Sequence, residues 1–341
     1  MKKLGIINSD SKEFSYGGVA PIMRNMHPYL EKAFEVEYFY LPDKWKKMWG
    51  LNRVKIMIYL FLHRNELKSC DFILSHIPEG SYVASFMGVP YAHIYHGNTN
   101  PMEGSRYKFG KYFKFVFEHF FKRIEKTCPL KYTVGPVWGD KKKLFNPIIV
   151  DAKPLPGDKR SGFMFAGRLE LVKNIDHIIK IYSKMPAELR KENHLYIAGF
   201  GTQEEKLKQL VNDLGLNDFV HFYGNLPNNE IAKKDTEKKV FLMASTHEGL
   251  PTAIAEALSV GVPVVSTDVG DISIVIKNDY NGFLLPLGFK DEDYISCIEK
   301  ILADYDRFSK AALESSKVFN AENITNSMIK DINDVLYDKL K

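Results

Sequence analysis

The sequence predicts an α/β fold of two doubly wound, Rossmann-like domains. Short apolar runs alternate with helical patterns along the 341 residues, as in sheets of parallel strands joined by helices. At about 150 residues per domain, this length accommodates two domains. A Pro- and Gly-rich segment at 153–158 interrupts the pattern, which is typical of a connector. We therefore predict an N-terminal domain at 1–152, a C-terminal domain at 158–323, and a helix over 324–341 that packs back on the first domain.

Eleven segments have the length and apolar character of buried strands. Five lie in the first half, at 3–8, 36–40, 72–75, 92–95 and 132–134, and six in the second, at 162–166, 194–198, 220–223, 240–244, 262–267 and 282–285. The first run is too short for the core of a signal peptide, so we predict a strand there. Two such sheets would leave a cleft at the carboxyl ends of their strands, where ligands bind.

The composition is that of a soluble globular protein. Apolar residues make up 45% of the chain and charged residues 26%, which excludes a wholly disordered or collagen-like chain. The 3 cysteines form no Cys-x-x-Cys pair, which favours a reducing compartment over secretion. No apolar stretch approaches the ~20 residues of a membrane-spanning helix. We therefore expect a cytoplasmic protein without a transmembrane segment.

The charge is divided unevenly between the two halves. Residues 1–150 carry 23 Lys and Arg against 13 Asp and Glu, whereas the remainder carries 24 against 29. This asymmetry indicates different partners, with the basic half facing something anionic. Nucleic acid, an anionic membrane surface and phosphorylated substrates all fit this observation.

Glu248 and Glu256 flank the start of a predicted helix in the segment Glu-Gly-Leu-Pro-Thr-Ala-Ile-Ala-Glu. Pro251 suits the first helical turn, because the N–H that it lacks would have no partner there. Free backbone N–H groups around Leu250 and Thr252 form an anion site suited to phosphate, and the two carboxylates can accept hydrogen bonds from sugar hydroxyls. The plain alternative is a capped surface helix with solvated glutamates.

Two further segments carry groups that suit phosphate. Arg168 and Lys173 follow the predicted strand at 162–166, and a guanidinium fork with an ammonium group suits a diphosphate leaving group. Gly17 and Gly18 follow the first predicted strand, where glycine lets the backbone approach a phosphate closely. A surface charge cluster and an ordinary tight turn are the respective alternatives.

Together these segments resemble the family 4 retaining glycosyltransferases of the GT-B fold. The resemblance covers most of 162–285, where Gly-Arg-Leu-x3-Lys, Gly-x-Gly and Glu-x7-Glu occur in the family's order. In the first 150 residues it is limited to the Gly17-Gly18 loop and to a histidine that follows a strand. It implies two Rossmann-like domains facing a central cleft, and front-face transfer of a sugar from a nucleotide diphosphosugar to an acceptor hydroxyl.

The resemblance also implies roles for individual residues. Four would act at the reacting groups: Arg168 and Lys173 on the diphosphate, Glu248 on hydroxyls of the donor sugar, and His96 near the scissile bond. Nine would bind substrate, among them Glu256 on the ribose and Tyr223 on the nucleobase. The other seven would lie in the same site: Gly17, Gly18, Gly199, Gly201, Leu250, Pro251 and Thr252. A histidine that merely caps a turn is the alternative for His96.

We expect no metal, and no cofactor either, because the nucleotide diphosphosugar would be a co-substrate. Consistent with this expectation, no histidine or cysteine cluster has the spacing of metal ligands. His76, with Glu79 nearby, also follows a predicted strand and could line the acceptor side, although a buried structural histidine is the favoured interpretation.

Residues 106–126 form a basic, aromatic segment. At about 100° per residue, one broad helical face carries Phe109, Tyr112, Phe113, Val116, Phe117, Phe120 and Ile124. The opposite face carries Phe115 with Lys108, Lys111, Lys114, Lys122 and Lys126. A second run at 44–49 again mixes lysines with tryptophans. A core helix with a solvated basic side explains most of these residues, but such surfaces also bind anionic membranes.

The sequence therefore predicts a glycosyltransferase at the inner face of the plasma membrane, with a UDP-sugar as the favoured donor. The acceptor would be a glycan or lipid-linked saccharide in bacterial surface-polysaccharide synthesis. A sugar-nucleotide epimerase on the same fold remains the alternative enzyme. A nucleic-acid-binding protein would explain the basic half, but it leaves the diphosphate-binding residues of the second half without a role.

Overall fold

The computed structural model describes residues 1–9, 19–46, 52–96, 114–135, 137 and 139–338. The chain divides into two compact units, of which unit 1 contains residues 1–147 and 319–341 and unit 2 contains residues 148–318. The segment 153–158, which we predicted as a connector, thus lies inside unit 2. It is held there because the Arg160 guanidinium donates to the Leu155 carbonyl at 2.7 Å.

Unit 1 is built on a parallel sheet whose described strands follow the order β2-β1-β3-β4-β5-β6. The chain adds β2 on one side of β1 and then adds β3 to β6 on the other, so its direction reverses between β1 and β3. The strands are β1 (Lys3–Ile7), β2 (Glu35–Phe39), β3 (Phe72–Ser75), β4 (Tyr91–Tyr95), β5 (Leu130–Thr133) and β6 (Lys142–Lys143).

Helices cover both faces of the unit 1 sheet. One apolar core lies under α1 (Val19–Ala33) and α15 (Ala321–Asp338). The other core lies under α3 (Asn52–Leu62), α5 (Pro78–Ala84) and α6 (Lys114–Thr127). Two short helices, α2 (Asp43–Lys46) and α4 (Arg64–Ser69), flank α3.

The last helix, α15, belongs to unit 1. Its Met328 and Ile332 side chains are buried in the core that α1 covers. Asp331 of this helix accepts hydrogen bonds from the Tyr132 hydroxyl at 2.8 Å and from the Lys142 ammonium at 2.6 Å. Apolar burial and an ionic contact therefore both fasten α15 to the sheet.

Unit 2 contains a second parallel sheet, in the order β12-β11-β10-β7-β8-β9. Its strands are β7 (Phe163–Ala166), β8 (Leu195–Ala198), β9 (Val220–Gly224), β10 (Val240–Leu242), β11 (Val264–Thr267) and β12 (Gly282–Leu285). Its helices are α7 (Ile175–Lys184), α8 (Ala187–Glu192), α9 (Glu204–Asp213), α10 (Asn228–Asp235), α11 (Thr252–Ser259), α12 (Ile272–Val275), α13 (Asp291–Ala303) and α14 (Tyr305–Ser316).

All eleven predicted strands are present, and their observed ends differ from the predicted ones by up to two residues. The strand that the sequence did not predict is β6, whose two lysines carry no apolar pattern. Among the described helices, none is long and apolar enough to cross a membrane.

Candidate active site

The chain direction of unit 2 reverses between the neighbouring strands β7 and β10. From β7 the chain adds β8 and β9 on one side, and then returns to add β10, β11 and β12 on the other. Doubly wound sheets bind ligands at the carboxyl ends of the strands beside such a point. Arg168 and Lys173 follow β7, and Glu248 follows β10. The topology therefore brings three predicted site residues to one edge of the sheet.

Lys173 and Glu248 form an ion pair across this point. The Lys173 ammonium lies 2.5 Å from Glu248 Oε1, and the two side chains are 14% and 10% exposed. Lys173 ends a 3-10 helix, Leu171–Lys173, and the left-handed Asn174 (φ 53°) is then the N-cap of α7. The two loops are also joined through their backbones, because the Thr246 N–H donates to the Val172 carbonyl at 2.9 Å. The pair is thus fixed by the loops that carry it.

A glycine after β11 supports the Glu248 loop from the other side. Gly270 has a φ of +61°, and a Cβ atom on it would lie 2.2 Å from the Glu248 carbonyl oxygen. The next residue, Asp271, donates its N–H to the Gly249 carbonyl at 3.1 Å. The loop after β10 is therefore held between the turn at Val172 and the turn at Gly270.

Arg168 is exposed and has no ion-pair partner among the described residues. Its loop is packed against the loop after β8. A Cβ atom on Gly199, whose φ is +142°, would lie 1.8 Å from the Gly167 carbonyl oxygen, and one on Gly201 would lie 2.4 Å from the Leu169 carbonyl oxygen. The Gly199 N–H already donates to the Gly224 carbonyl at 2.8 Å. Close backbone packing explains both glycines, and their direct contact with a substrate stays a prediction.

Helix α11 begins at Thr252, with Pro251 as its N-cap (φ −64°, ψ 130°). Our prediction of Pro251 in the first helical turn was therefore wrong by one position, because its ψ angle is extended rather than helical. The first N–H groups of the helix, at Thr252 and Ala253, have no acceptor within the described part of the chain. Leu250, Pro251 and Thr252 are half-buried. This helix start thus has the unpaired N–H groups that the predicted anion site requires.

Glu256 lies one turn inside α11 and is 7% exposed. Burial raises the pKa of its carboxyl from the ordinary 4.5 to about 7. A second acid, Asp235 at the end of α10, is fully buried, and neither of its carboxyl oxygens has a hydrogen-bond partner in the described structure. Burial, and then the charge of Glu256, hold the pKa of Asp235 well above its ordinary value. Sequence reasoning missed Asp235, because nothing in a polar helix marks which acid is buried.

Tyr223 lies at the end of β9, an edge strand of the sheet. Its ring stacks on that of Tyr196, with centroids 5.3 Å apart, and the Lys234 ammonium lies 5.4 Å from its centroid. Burial raises the pKa of its hydroxyl to about 12. Two strand spacings, roughly 10 Å, separate β9 from β7, so Tyr223 is not part of the Lys173–Glu248 cluster.

Unit 1 contains a histidine cluster at the carboxyl ends of β3 and β4. His76 Nδ1 and His96 Nε2 are 3.1 Å apart, and their rings are stacked. Burial lowers the pKa of His96 to about 4 and, with the neighbouring His96 and His93, holds the pKa of His76 well below 6.5. Both rings are therefore neutral at pH 7, so that one donates the hydrogen bond and the other accepts it. His96 Nδ1 is buried without a partner among the described residues.

In α5, which follows β3, Glu79 is 2% exposed and pairs with Arg53 at 2.5 Å. His76 and Glu79 are thus both buried polar groups at the same edge of the unit 1 sheet. Gly17 and Gly18 lie outside the described residues. No group of three His, Cys, Asp or Glu side chains in the described ranges could hold a metal ion.

Comparison with known proteins identifies the family of unit 2. Residues 149–315 match the family model "Glycosyl transferases group 1". Residues 149–315 belong to the glycosyl transferases group 1 family. This segment contains every predicted site residue except His96, Gly17 and Gly18.

Individual relatives agree with this assignment. An uncharacterized glycosyltransferase of Methanocaldococcus jannaschii is 28% identical over 180 residues, which are 52% of this chain and 43% of that protein. The lipopolysaccharide 1,6-galactosyltransferase of Salmonella typhimurium is 26% identical over 202 residues, or 58% of this chain and 52% of that enzyme. The matched segments thus span about half the length of these curated relatives.

The fold of the whole chain is also that of a solved structure. Anabaena HepE in complex with UDP matches with a TM-score of 0.69 and 15% identity, covering 98% of this chain and 100% of that one. At this identity the likeness shows the fold alone. The predicted GT-B fold of two doubly wound domains is thereby confirmed.

Proposed function

We propose that the protein is a retaining glycosyltransferase of bacterial surface-polysaccharide synthesis. It transfers a sugar from a UDP-sugar to a hydroxyl of a glycan or lipid-linked saccharide. The observation that carries this proposal is the Lys173–Glu248 pair, which lies at the reversal point of the unit 2 sheet. Its Glu248 lies in the loop that leads into α11. A cation, a carboxylate and unpaired backbone N–H groups are what a diphosphate joined to a sugar requires.

The similar proteins support the donor and the pathway. HepE was solved with UDP bound, and the Salmonella relative is named as a lipopolysaccharide galactosyltransferase. Glu256 fits a nucleoside as well, since an ionised carboxylate at the second turn of α11 can accept hydrogen bonds from two ribose hydroxyls. We therefore propose a UDP-sugar donor.

In the proposed reaction, the bond between the sugar C1 atom and the leaving β-phosphate oxygen breaks. A bond from the acceptor oxygen to C1 forms on the same face of the sugar. The acceptor hydroxyl gives its proton to an oxygen of the departing diphosphate. Arg168, Lys173 and the Thr252 N–H stabilise the negative charge that develops on that diphosphate, and Glu248 orients the sugar and Lys173. Because these groups supply the positive charge, we propose a reaction that needs neither a metal ion nor a cofactor.

The acceptor side of the proposal rests on unit 1. His96, neutral and with an unpartnered Nδ1, can exchange a hydrogen bond with a hydroxyl near the reacting carbon. His76 fixes the orientation of the His96 ring through their contact. We propose that His96 contacts the reacting sugar and that unit 1 binds the acceptor.

We also propose that unit 1 contacts an anionic membrane at the cytoplasmic face. Within the described part of the basic aromatic segment, Phe117, Phe120 and Ile124 are buried as predicted. Phe115 is 67% exposed, and Lys122 and Lys126 are exposed as well. Lys114 is exposed and Val116 is half-buried. The other predicted members, Lys108, Phe109, Lys111, Tyr112 and Phe113, lie outside the described residues.

A transfer assay tests the proposed activity. The protein is incubated in chelator with radiolabelled UDP-, GDP- and ADP-sugars and with bacterial lipid-linked saccharides, and the labelled product is counted. The proposal predicts transfer from a UDP-sugar, with the donor's anomeric configuration kept in the product as judged by proton NMR. Lys180→Ala is a matched control for Lys173→Ala, because Lys180 is an exposed lysine paired with Asp176 on α7. Epimerisation of the donor without an acceptor, or transfer only with a metal, would contradict the proposal.

A further inference from the structure

Helix α3 presents an apolar face that the rest of the described structure leaves uncovered. Val54 and Ile58 are each 49% exposed, Phe61 is 58% exposed and Leu62 is 59% exposed. Phe86, just after α5, is 54% exposed and adjoins them. We name these five residues the α3 apolar face. They line a groove of about 590 Å³ whose floor includes Met57, Tyr82 and Val83. Exposed apolar side chains clustered in this way mark a binding surface rather than chance exposure.

Two cationic side chains lie on this face, and the chain around α3 is rich in basic residues. Residues 44–65 contain six Lys and Arg and no Asp or Glu. The Arg64 guanidinium lies 5.2 Å from the centroid of the Phe61 ring, and that of Arg123 lies 3.7 Å from the centroid of Phe86. A guanidinium group therefore lies over each of the two exposed aromatic rings of the face. This charge is complementary to an anionic partner.

The face is continuous with the basic side of α6. Helices α3 and α5 pack together, as do α5 and α6, and all three cover the same face of the unit 1 sheet. The lysines of α6 and the α3 apolar face thus belong to one helical layer. An anionic surface broad enough to meet both elements fits this arrangement better than a small ligand does.

We propose that the α3 apolar face inserts into the boundary between headgroups and acyl chains of an anionic bilayer. Apolar side chains enter the acyl region, while Arg64 and Arg123 stay beside the aromatic rings and meet lipid phosphates. This inference rests on the proposed membrane contact and extends it, because it assigns the main apolar attachment to α3, while α6 contributes its lysines and the exposed ring of Phe115.

Sedimentation with vesicles tests the assignment without any substrate. Wild type is mixed with vesicles of phosphatidylcholine alone, or with an equal part of phosphatidylglycerol, and bound protein is measured. Ile58→Ser combined with Phe61→Ser keeps the charge unchanged. The control is Leu214→Ser with Val318→Ser, which removes exposed apolar residues of unit 2. A third protein carries Lys122→Gln and Lys126→Gln. Thermal unfolding of each variant checks that it is folded.

We expect wild type to bind the anionic vesicles alone. The double variant Ile58→Ser with Phe61→Ser, called the α3 pair, should bind these vesicles at least tenfold more weakly. The control variant should bind them as wild type does. A second measurement uses Phe61→Trp, which keeps an apolar side chain at this position. Brominated lipids should quench the fluorescence of the tryptophan introduced at position 61, but not that of the tryptophan introduced by Leu214→Trp. If the lysine variant is released and the α3 pair still binds, the α3 assignment is wrong and the membrane contact stands. If wild type binds neither vesicle, both fail. A concentration-dependent dimer lost in the α3 pair, with vesicle binding intact, would show instead that the face meets a second copy.

Discussion

Glu256 carries a carboxyl group buried away from water, at 7% exposed. The folded protein keeps a proton on this carboxyl up to pH about 7, whereas the unfolded chain releases it near 4.5. Wild-type stability should therefore fall as the pH rises from about 4.5 to 7, and then stay level with respect to this group. Glu256→Gln removes the cost of burying an ionised carboxylate. This variant should therefore be more stable than wild type at pH 8, by about 3 kcal/mol at most. Urea unfolding at pH 5 and pH 8 measures this difference.

The same titration should appear in nucleotide binding. If ionised Glu256 accepts hydrogen bonds from the ribose, the UDP affinity of wild type relative to Glu256→Gln should rise between pH 6 and pH 8, by up to about tenfold. Using the ratio of the two proteins cancels the titration of UDP itself. A ratio that stays constant over this range would separate Glu256 from the nucleotide site.

The Lys173–Glu248 pair joins side chains that lie 75 positions apart in the sequence. Lys173→Ala leaves Glu248, only 10% exposed, without its cation, and should lower the free energy of unfolding by about 2 kcal/mol. It should also lower kcat by about 10²–10³-fold, by analogy with the loss of one oxyanion donor. Glu248→Gln keeps a hydrogen-bond acceptor for Lys173 and should lose turnover with a smaller loss of stability. Normal kcat/KM in both variants would remove the pair from the site.

At the scale of single elements, the loops of unit 2 are held by close backbone contacts. Gly270→Ala would place a Cβ atom 2.2 Å from the Glu248 carbonyl oxygen, and should destabilise the protein by about 3 kcal/mol and displace Glu248. Gly215→Ala is the matched control, because Gly215 has nearly the same φ, +63°, with open space around its Cα. Gly215→Ala should lower the free energy of unfolding only by the cost of holding an alanine in the left-handed conformation, about 1 kcal/mol. Equal losses in the two variants, measured by urea unfolding, would show that the contact is unimportant.

The strands could be predicted because each central strand of a parallel sheet is an uninterrupted apolar run. Strand β6 could not, since its two lysines pair with β5 at the sheet edge and need no apolar side chains. The site loops were found for a related reason, as their glycines, acids and bases directly follow such runs. The pairing of Lys173 with Glu248 and the burial of Asp235 arise only from tertiary packing. Similarly, the apolar pattern of α3 is that of a core helix, and its exposure became visible only in the structure.

At the scale of the whole molecule, the final helix belongs to unit 1 although it follows unit 2 in the chain. Ile332 of α15 is fully buried, so Ile332→Ala should lower the free energy of unfolding by about 3 kcal/mol. Lys330→Ala, on the exposed side of the same helix, should have little effect. UDP affinity should be unchanged in both variants, because the proposed donor site lies in unit 2. A loss of UDP binding in folded Ile332→Ala would contradict this division of roles.

The central claim is that unit 2 binds a nucleoside diphosphate through Arg168, Lys173 and the start of α11. Isothermal titration calorimetry, which measures the affinity of the whole protein for UDP in the presence of chelator, tests this claim most directly. We expect saturable binding that weakens at least tenfold in Arg168→Ala and in Lys173→Ala but not in Lys180→Ala, since one lost charge-assisted contact is worth about 1.5–3 kcal/mol. Absence of binding to UDP, GDP and ADP alike, or unchanged affinity in both site variants, would contradict the account.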